Sequence, residues 1–268
     1  MNAQTRSRVV TASVGIPFLI LVIGWGRSEH FTLLVFLITV VGLWEYFRIV
    51  FRDRLKERSL GILLGVLVSL GLVIPGHPEP GLPLAIVILL AFSSHLFFSG
   101  KLEERYQRLG WTLIGVLYIG YFVPHTVLLY ESRDGRAWVF FVLLTIMSGD
   151  TAGYFVGRSW GKNKLCPEIS PGKTVEGAIA SLAGSVLAAV VGGQFLLPAI
   201  PRVESLLLSV VLSVLGQAGD LFESWMKRVF SVKDSGRLLP GHGGLLDRLD
   251  SLIFPVVFMA HYLRLFHP

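Results

Sequence analysis

Two stretches place charged side chains at the end of an apolar run or inside one, where they have chemical meaning. The first reads Gln217-Ala218-Gly219-Asp220-Leu221-Phe222-Glu223-Ser224-Trp225-Met226-Lys227-Arg228. At about 100° per residue on a helix, Asp220, Glu223 and Lys227 fall within about 60° of one another. Lys227 and Arg228 suit the end of a helix. Asp220 suits it less, because negative charge near a helix C-terminus opposes the macrodipole. A bound cation would offset that opposition. The second is Asp150, in Ser148-Gly149-Asp150-Thr151-Ala152-Gly153-Tyr154, well inside an apolar run. A carboxylate there costs roughly 2.5–3.5 kcal/mol on insertion and is a functional candidate by default. It serves either as a polar helix-packing contact or as a group facing a polar cavity. Gly149, Gly153 and Gly157 share one helix face at a spacing of four, which predicts close approach of a neighbouring backbone.

Two polar loops carry groups suited to phosphate. One runs from Lys233 and Asp234 through Arg237 and His242 to Asp247, Arg248 and Asp250, with Gly236, Gly241, Gly243 and Gly244 interspersed. Glycines allow backbone N–H groups to approach an anion closely, and the helix that follows has an N-terminus that favours phosphate. Asp247 and Asp250 are spaced i, i+3 there, as helix caps or as ligands. The other loop contains Ser170-Pro171-Gly172-Lys173-Thr174-Val175-Glu176-Gly177. Thr174 is a candidate N-cap with Glu176 in the first turn; equally, a lysine and a hydroxyl at a helix start cradle phosphate. The run Gly172-Lys173-Thr174 looks like the end of a Walker A loop. That reading fails because Pro167 stands where the earlier glycine is required and no strand is expected before the loop. Hard oxygen ligands suit Mg²⁺, and lysines with glycine-rich backbone suit phosphate, so carboxylate–metal–phosphate chemistry is the economical reading.

The elements that must position these groups are membrane helices. In 268 residues, 53% are apolar and only 16% charged, against about 25% charged in soluble domains, and mean hydropathy is +0.65. So much apolar surface exceeds what a soluble core buries, and the excess must face lipid. Nine segments are long and apolar enough to span: roughly 9–25, 31–49, 60–74, 83–98, 109–130, 137–156, 175–197, 204–224 and 249–266. With the N-terminus inside, 19 of the 24 Lys and Arg residues fall on the cytoplasmic side. The expected fold is therefore an all-α polytopic integral membrane protein of about nine transmembrane helices, N-in and C-out. Both polar loops then face the cytoplasm. Residues 1–136 form five spans with few polar residues, expected to serve as scaffold and to make dimer or lipid contacts. Residues 137–268 form four spans holding the unusual charges. The net charge of +6 reads as cytoplasmic loops meeting anionic headgroups, with no nucleic-acid partner. A single cysteine, Cys166, excludes an internal disulfide and multi-cysteine metal sites. The first apolar run lacks a cleavage site and is expected to remain as a helix.

Ser224 to Arg228, Lys233-Asp234, Gly236, Leu239-Pro240, His242-Gly243-Gly244, Asp247-Arg248 and Asp250 resemble the diagnostic pattern of the phosphatidate cytidylyltransferases (CDP-diacylglycerol synthases). Upstream, Ser148 to Tyr154 and Ser170 to Gly177 are similar to two further motifs of that family, in the expected order. The resemblance covers residues from about 137 to the end. It implies transfer of the cytidylyl group of CTP to phosphatidic acid, giving CDP-diacylglycerol and pyrophosphate. It also implies Mg²⁺ dependence with K⁺ as a second cation, a homodimer, and a bacterial inner membrane location. Carried onto this chain, Asp220 and Asp247 match the metal centre. Lys227, Arg228, Lys233 and Arg237 match contacts to triphosphate or lipid phosphate. Lys173 and Thr174, with Ser170, meet a nucleotide phosphate, and His242, Gly243, Gly244 and Arg248 line the substrate loop. Asp150, Glu176, Glu223, Asp234 and Asp250 are supporting ligands or neighbours of ligands.

The expected chemistry needs little base catalysis. A phosphate monoester has its second pKa near about 6 and is already largely a dianion at neutral pH. His242 is accordingly read as a phosphate contact or a structural loop residue. Two other readings remain open. One changes the acceptor to another lipid phosphate. The other is an ion-coupled transporter, disfavoured because the charges crowd one side and no internal repeat is visible.

Overall fold

The computed structural model describes residues 3–74, 81–236, 238 and 243–267. The chain is an all-α membrane protein with one small hairpin. Its helices are α1 (Ala3–Trp25), α2 (Ser28–Val50), α3 (Leu55–Val73), α4 (Gly81–His95), α5 (Leu102–Gly115), α6 (His125–Glu131), α7 (Gly135–Trp160), α8 (Val175–Leu196), α9 (Arg202–Val229) and α10 (Leu246–Phe266). Each of the nine apolar runs read from sequence overlaps helix. Among the described residues, six helical segments are long and apolar enough to cross a membrane: Ser28–Val50, Leu102–Glu131, Gly135–Trp160, Val175–Leu196, Arg202–Val229 and Leu246–Phe266. Of the others, α4 has only 15 residues, and α3 opens with the charged run Lys56-Glu57-Arg58.

Two local features depart from the sequence expectation. The run expected as one span over 109–130 is interrupted. A π-helical turn, Val116–Tyr121, follows α5, and Phe122 N–H bonds back to Leu117 C=O at 3.0 Å. Pro124, which has no N–H to continue the ladder, separates this turn from α6. The segment before α8 is not a plain loop. Strands β1 (Lys164–Cys166) and β2 (Ser170–Thr174) pair antiparallel, with Lys164 opposite Thr174 and Cys166 opposite Ser170. A strand therefore does run into α8, and it carries Lys173.

The chain divides into two compact units: Met1–Leu128 with Asp234–Asp247, and Leu129–Lys233 with Arg248–Pro268. The loop segment Asp234–Asp247 thus groups with the N-terminal helices.

In the first unit, α2 packs on α3 through small residues. A Cβ at Gly61 or Gly65 would overlap the side chains of Phe47 and Leu43, so these glycines let the helices meet closely. Tyr46 is fully buried and donates its hydroxyl to Trp111 C=O at 2.9 Å, tying α2 to α5. Arg108 and Glu57, both nearly buried, pair at 3.8 Å between α5 and α3.

In the second unit, α7 and α8 pack closely through small residues. Cβ atoms at Gly149, Gly153 and Gly157 would press on Ser185 and Ser181, on the Gly177 carbonyl, and on Thr174 respectively. The glycine face read from sequence is thus the α7–α8 contact. Ser185 Oγ adds a hydrogen bond to Thr145 C=O at 2.9 Å across it. Helix α10 packs on α9 where Gly219 meets the Asp250 carbonyl and Phe222 meets Phe254.

Candidate active site

The expected site residues fall into two clusters, one in each unit.

The cluster of the second unit is built on α7, β2, α8, α9 and α10. Lys173, at the end of β2, reaches α9 and pairs with Asp220, with Nζ–Oδ2 at 2.8 Å. Both side chains are about a quarter to a third exposed. A pair this open to solvent contributes only about 0–1 kcal/mol, so its partners can be exchanged for other ions at little cost. Ser224 Oγ reaches Asp220 Oδ1 at 3.5 Å. One turn along α9, the fully buried Glu223 pairs with Lys227 at 3.3 Å. Asp250 of α10 lies beside Glu223, within reach of the charges of Asp220 and Lys227. Lys227 therefore balances buried negative charge as well as being a cation near the site. Removing one partner of such a buried pair typically costs about 3–5 kcal/mol.

Asp150 Oδ2 accepts a hydrogen bond from Ser251 Oγ at 3.0 Å, joining α7 to α10. Of the two roles expected for it, this bond fits a packing contact, and its neighbourhood also includes Asp220 and Lys173, as a polar site would. Thr174 is the N-cap of α8, its Oγ1 accepting from Gly177 N–H at 3.1 Å. Glu176 accepts from Lys162 N–H and from the Asn163 backbone and side chain at 2.8–3.3 Å. It thereby ties the start of the hairpin to the start of α8. Arg228 Nε donates to Ile169 C=O at 3.1 Å, which anchors the hairpin to α9. Ser170 opens β2 opposite Cys166. Lys233 and Arg248 are exposed.

The cluster of the first unit centres on the expected metal ligand Asp247. Three donors converge on its Oδ2: Ser235 N–H at 2.9 Å, Ser235 Oγ at 3.0 Å and Gly244 N–H at 2.8 Å. Gly243 has φ of +85°, which only glycine adopts without strain, and a Cβ there would crowd Asp247 Oδ2. Asp234 lies beside Gly243 and is itself exposed. The expected contacts Arg237 and His242 lie outside the described residues.

One residue of this cluster is absent from the sequence-based set. Glu45 of α2, 1% exposed, accepts from Leu246 N–H at 3.0 Å and lies 3.2 Å from Ser235 Oγ, both through Oε2. Its Oε1 is buried without a hydrogen-bond partner among the described residues. The signal was available: Glu45 is a carboxylate inside an expected span, 31–49, the same criterion that singles out Asp150.

Among the described residues, no group of three or more His, Cys, Asp or Glu side chains is arranged to hold a metal ion. The donors present are hard carboxylate oxygens. Mg²⁺ commonly takes only one or two such carboxylates, filling its shell with water and substrate phosphates, so this donor set fits that ion.

Comparison with known proteins extends the likeness to the whole chain. Residues 6–266 match the model of the cytidylyltransferase family. A phosphatidate cytidylyltransferase of Bacillus subtilis is 38% identical, covering 97% of this chain and 98% of the relative. One from Staphylococcus epidermidis is 33% identical over 95% of each, and one from Brucella suis is 36% identical over 94% of this chain and 90% of its own length. The N-terminal helices, similar to that family by sequence reading only in length and hydrophobicity, lie within the match. With conserved length, matching motifs and carboxylates and lysines gathered at helix ends, the chain belongs to the cytidylyltransferase family.

Proposed function

We propose that this protein transfers the cytidylyl group of CTP to phosphatidic acid, forming CDP-diacylglycerol and releasing pyrophosphate. The observation that carries this reading is the end-to-end similarity to phosphatidate cytidylyltransferases at 38% identity. The local geometry supports it: Lys173 and Asp220 place a cation and a hard anion 2.8 Å apart beside a strand-to-helix turn, where a phosphate and a metal ion find opposite partners.

In this reading a phosphatidate oxygen attacks the α-phosphorus of CTP in line. A bond forms between that oxygen and phosphorus, the bond to the β-phosphate oxygen breaks, and pyrophosphate leaves with its electron pair. The nucleophile is already anionic, so the barrier lies in bringing two polyanions together. Charge neutralisation and positioning lower it. Lys173 meets the nucleotide phosphates, and Ser170 and Thr174 line the same turn, Thr174 by holding the start of α8. Lys227, Arg228 and Lys233, with Arg237, meet the triphosphate or the lipid phosphate. Gly243, Gly244, His242 and Arg248 contribute phosphate contacts from the other loop. Asp220 and Asp247 are the proposed Mg²⁺ ligands, with Glu223, Asp234 and Asp250 supporting and K⁺ as a second cation. Bound there, Mg²⁺ would supply charge neutralisation of the phosphates.

The proposal extends to topology and place. Nine helical crossings, N-in and C-out, follow from the distribution of Lys and Arg, which puts both loops on the cytoplasmic face of a bacterial inner membrane. CTP then reaches the site from the cytoplasm and the lipid from the bilayer. A homodimer is part of the same reading. The test is a labelled-CTP assay on detergent-purified protein with a panel of lipid phosphates, with and without Mg²⁺. CDP-diacylglycerol formed only with phosphatidate and divalent metal is the expected result. Product formed only from another lipid phosphate would replace the acceptor, and no product from any of them would overturn the function.

A further inference from the structure

We infer that Glu45, a buried carboxylate of the N-terminal helices, is a positioning residue that sets the conformation of the Asp247 loop. The inference deepens the proposed function and rests on it for the role of Asp247. Its geometric part stands on the first unit alone.

Glu45 is 1% exposed within a helix long and apolar enough to cross a membrane. A carboxylate in that position is expensive and persists only where it is engaged. Its engagement is lopsided. Oε2 receives Leu246 N–H at 3.0 Å and lies 3.2 Å from Ser235 Oγ, while Oε1 has no hydrogen-bond partner among the described residues. Gly236 and Gly244 press so closely on the carboxylate that a Cβ at either position would overlap it. The carboxylate is thus clamped by residues from both ends of the loop, 190 and 201 positions away in the chain.

The same loop holds Asp247. Ser235 bonds to it through both N–H and Oγ, and Gly244 through N–H. Ser235 Oγ lies between the two carboxylates, 3.2 Å from Glu45 and 3.0 Å from Asp247. A hydroxyl has one proton and donates to one acceptor at a time. Leu246 N–H belongs to the first turn of α10, where helix N–H groups have no partner within the helix. Glu45 accepts that N–H as a cap would, from another helix. It fixes where α10 begins, and Asp247 is the next residue. Glu45 acts through Ser235 and Leu246, with no contact to substrate assigned to it.

The experiment compares Glu45→Ala, Glu45→Gln and Ser235→Ala with the wild type in detergent-purified full-length protein. Two readouts are taken: residue-resolved hydrogen exchange and the CTP- and phosphatidate-dependent rate. Glu45→Ala should speed exchange at the Ser235, Gly244 and Leu246 amides by about tenfold or more, leaving α7 to α9 at the wild-type rate. It should lower kcat by about ten- to a hundredfold, the scale seen when the partner orienting a functional carboxylate is lost. Glu45→Gln keeps one acceptor oxygen for Leu246 N–H and should restore most of both losses. Ser235→Ala should loosen the Gly244 amide and lower kcat without disturbing α2, so the idea is tested even if Glu45→Ala does not fold. Unchanged exchange at the three amides in Glu45→Ala would overturn the inference. So would exchange raised evenly over the whole first unit with no rescue by Gln, which would make Glu45 a core group only. If the wild type forms no CDP-diacylglycerol, the proposed function falls, while the exchange pattern still decides whether Glu45 sets the loop.

Discussion

The two charged clusters are held in different ways. In the second unit, Lys173 and Asp220 meet as a partly exposed ion pair, supported by Thr174, Glu176 and Arg228, which fix the hairpin and the start of α8. In the first unit, Asp247 is held by three hydrogen bonds from its own loop, and that loop is held by a buried carboxylate of α2. The first arrangement suits exchange of ionic partners, because a solvated pair is weak. The second suits fixed placement, because hydrogen bonds to a charged group are each worth about 1.5–3 kcal/mol. A polyanion-joining enzyme needs both kinds of contact: cations that accept arriving phosphates, and a carboxylate that does not move.

The largest effects should come from neutralising the carboxylate of each cluster, first Asp247→Asn. Asn offers one acceptor oxygen in place of the carboxylate and removes the charge, and CDP-diacylglycerol formation should fall by about a hundredfold or more, the scale of losing one aligned electrostatic group. Asp220→Asn should cause a loss of similar size. Near-normal turnover by either would remove that carboxylate from the metal assignment. Lys173→Ala sharpens the contrast, since it should raise the KM for CTP by about tenfold, roughly 1.4 kcal/mol, with little change in melting temperature. Unaltered CTP dependence would return Lys173 to a purely local role. Gly149→Val tests the frame rather than the chemistry. The added methyls meet Ser185 and Ser181, and overpacking of this kind costs about 1–3 kcal/mol, visible as a lower melting temperature in detergent. The smallest effect is expected of Glu176→Ala. Its bonds to Lys162 and Asn163 are solvent-accessible, so it should loosen the hairpin, read as faster exchange at the Asn163 amide, with a loss of CTP-dependent activity smaller than that of Lys173→Ala.

Much of this arrangement is legible from residue order. The apolar runs overlap helices because length and hydropathy alone demand it. The glycines at 149, 153 and 157 became the α7–α8 contact because a missing side chain at a spacing of four leaves one groove. Thr174 caps α8 because a hydroxyl before an apolar helix has one obvious use. The hairpin of Lys164–Cys166 and Ser170–Thr174 was not legible. Its strands are three and five residues long, contain Pro171 and Gly172, and show no alternation. The break at Val116–Tyr121 was hidden because a π-turn keeps the same apolar composition as a helix.

Sequence by itself determined the membrane class, the helical segments, the family and the residue types that handle phosphate, because these depend on composition and on spacing along one chain. Only the tertiary structure decided the partners: Lys173 with Asp220, Asp150 with Ser251, and Glu45 with the loop that carries Asp247. Hydrogen bonds between groups as much as 201 positions apart leave no periodic trace in the order of residues. What the order did retain was the cost of a buried carboxylate in an apolar helix, and in α2 that cost marks where the distant loop is held.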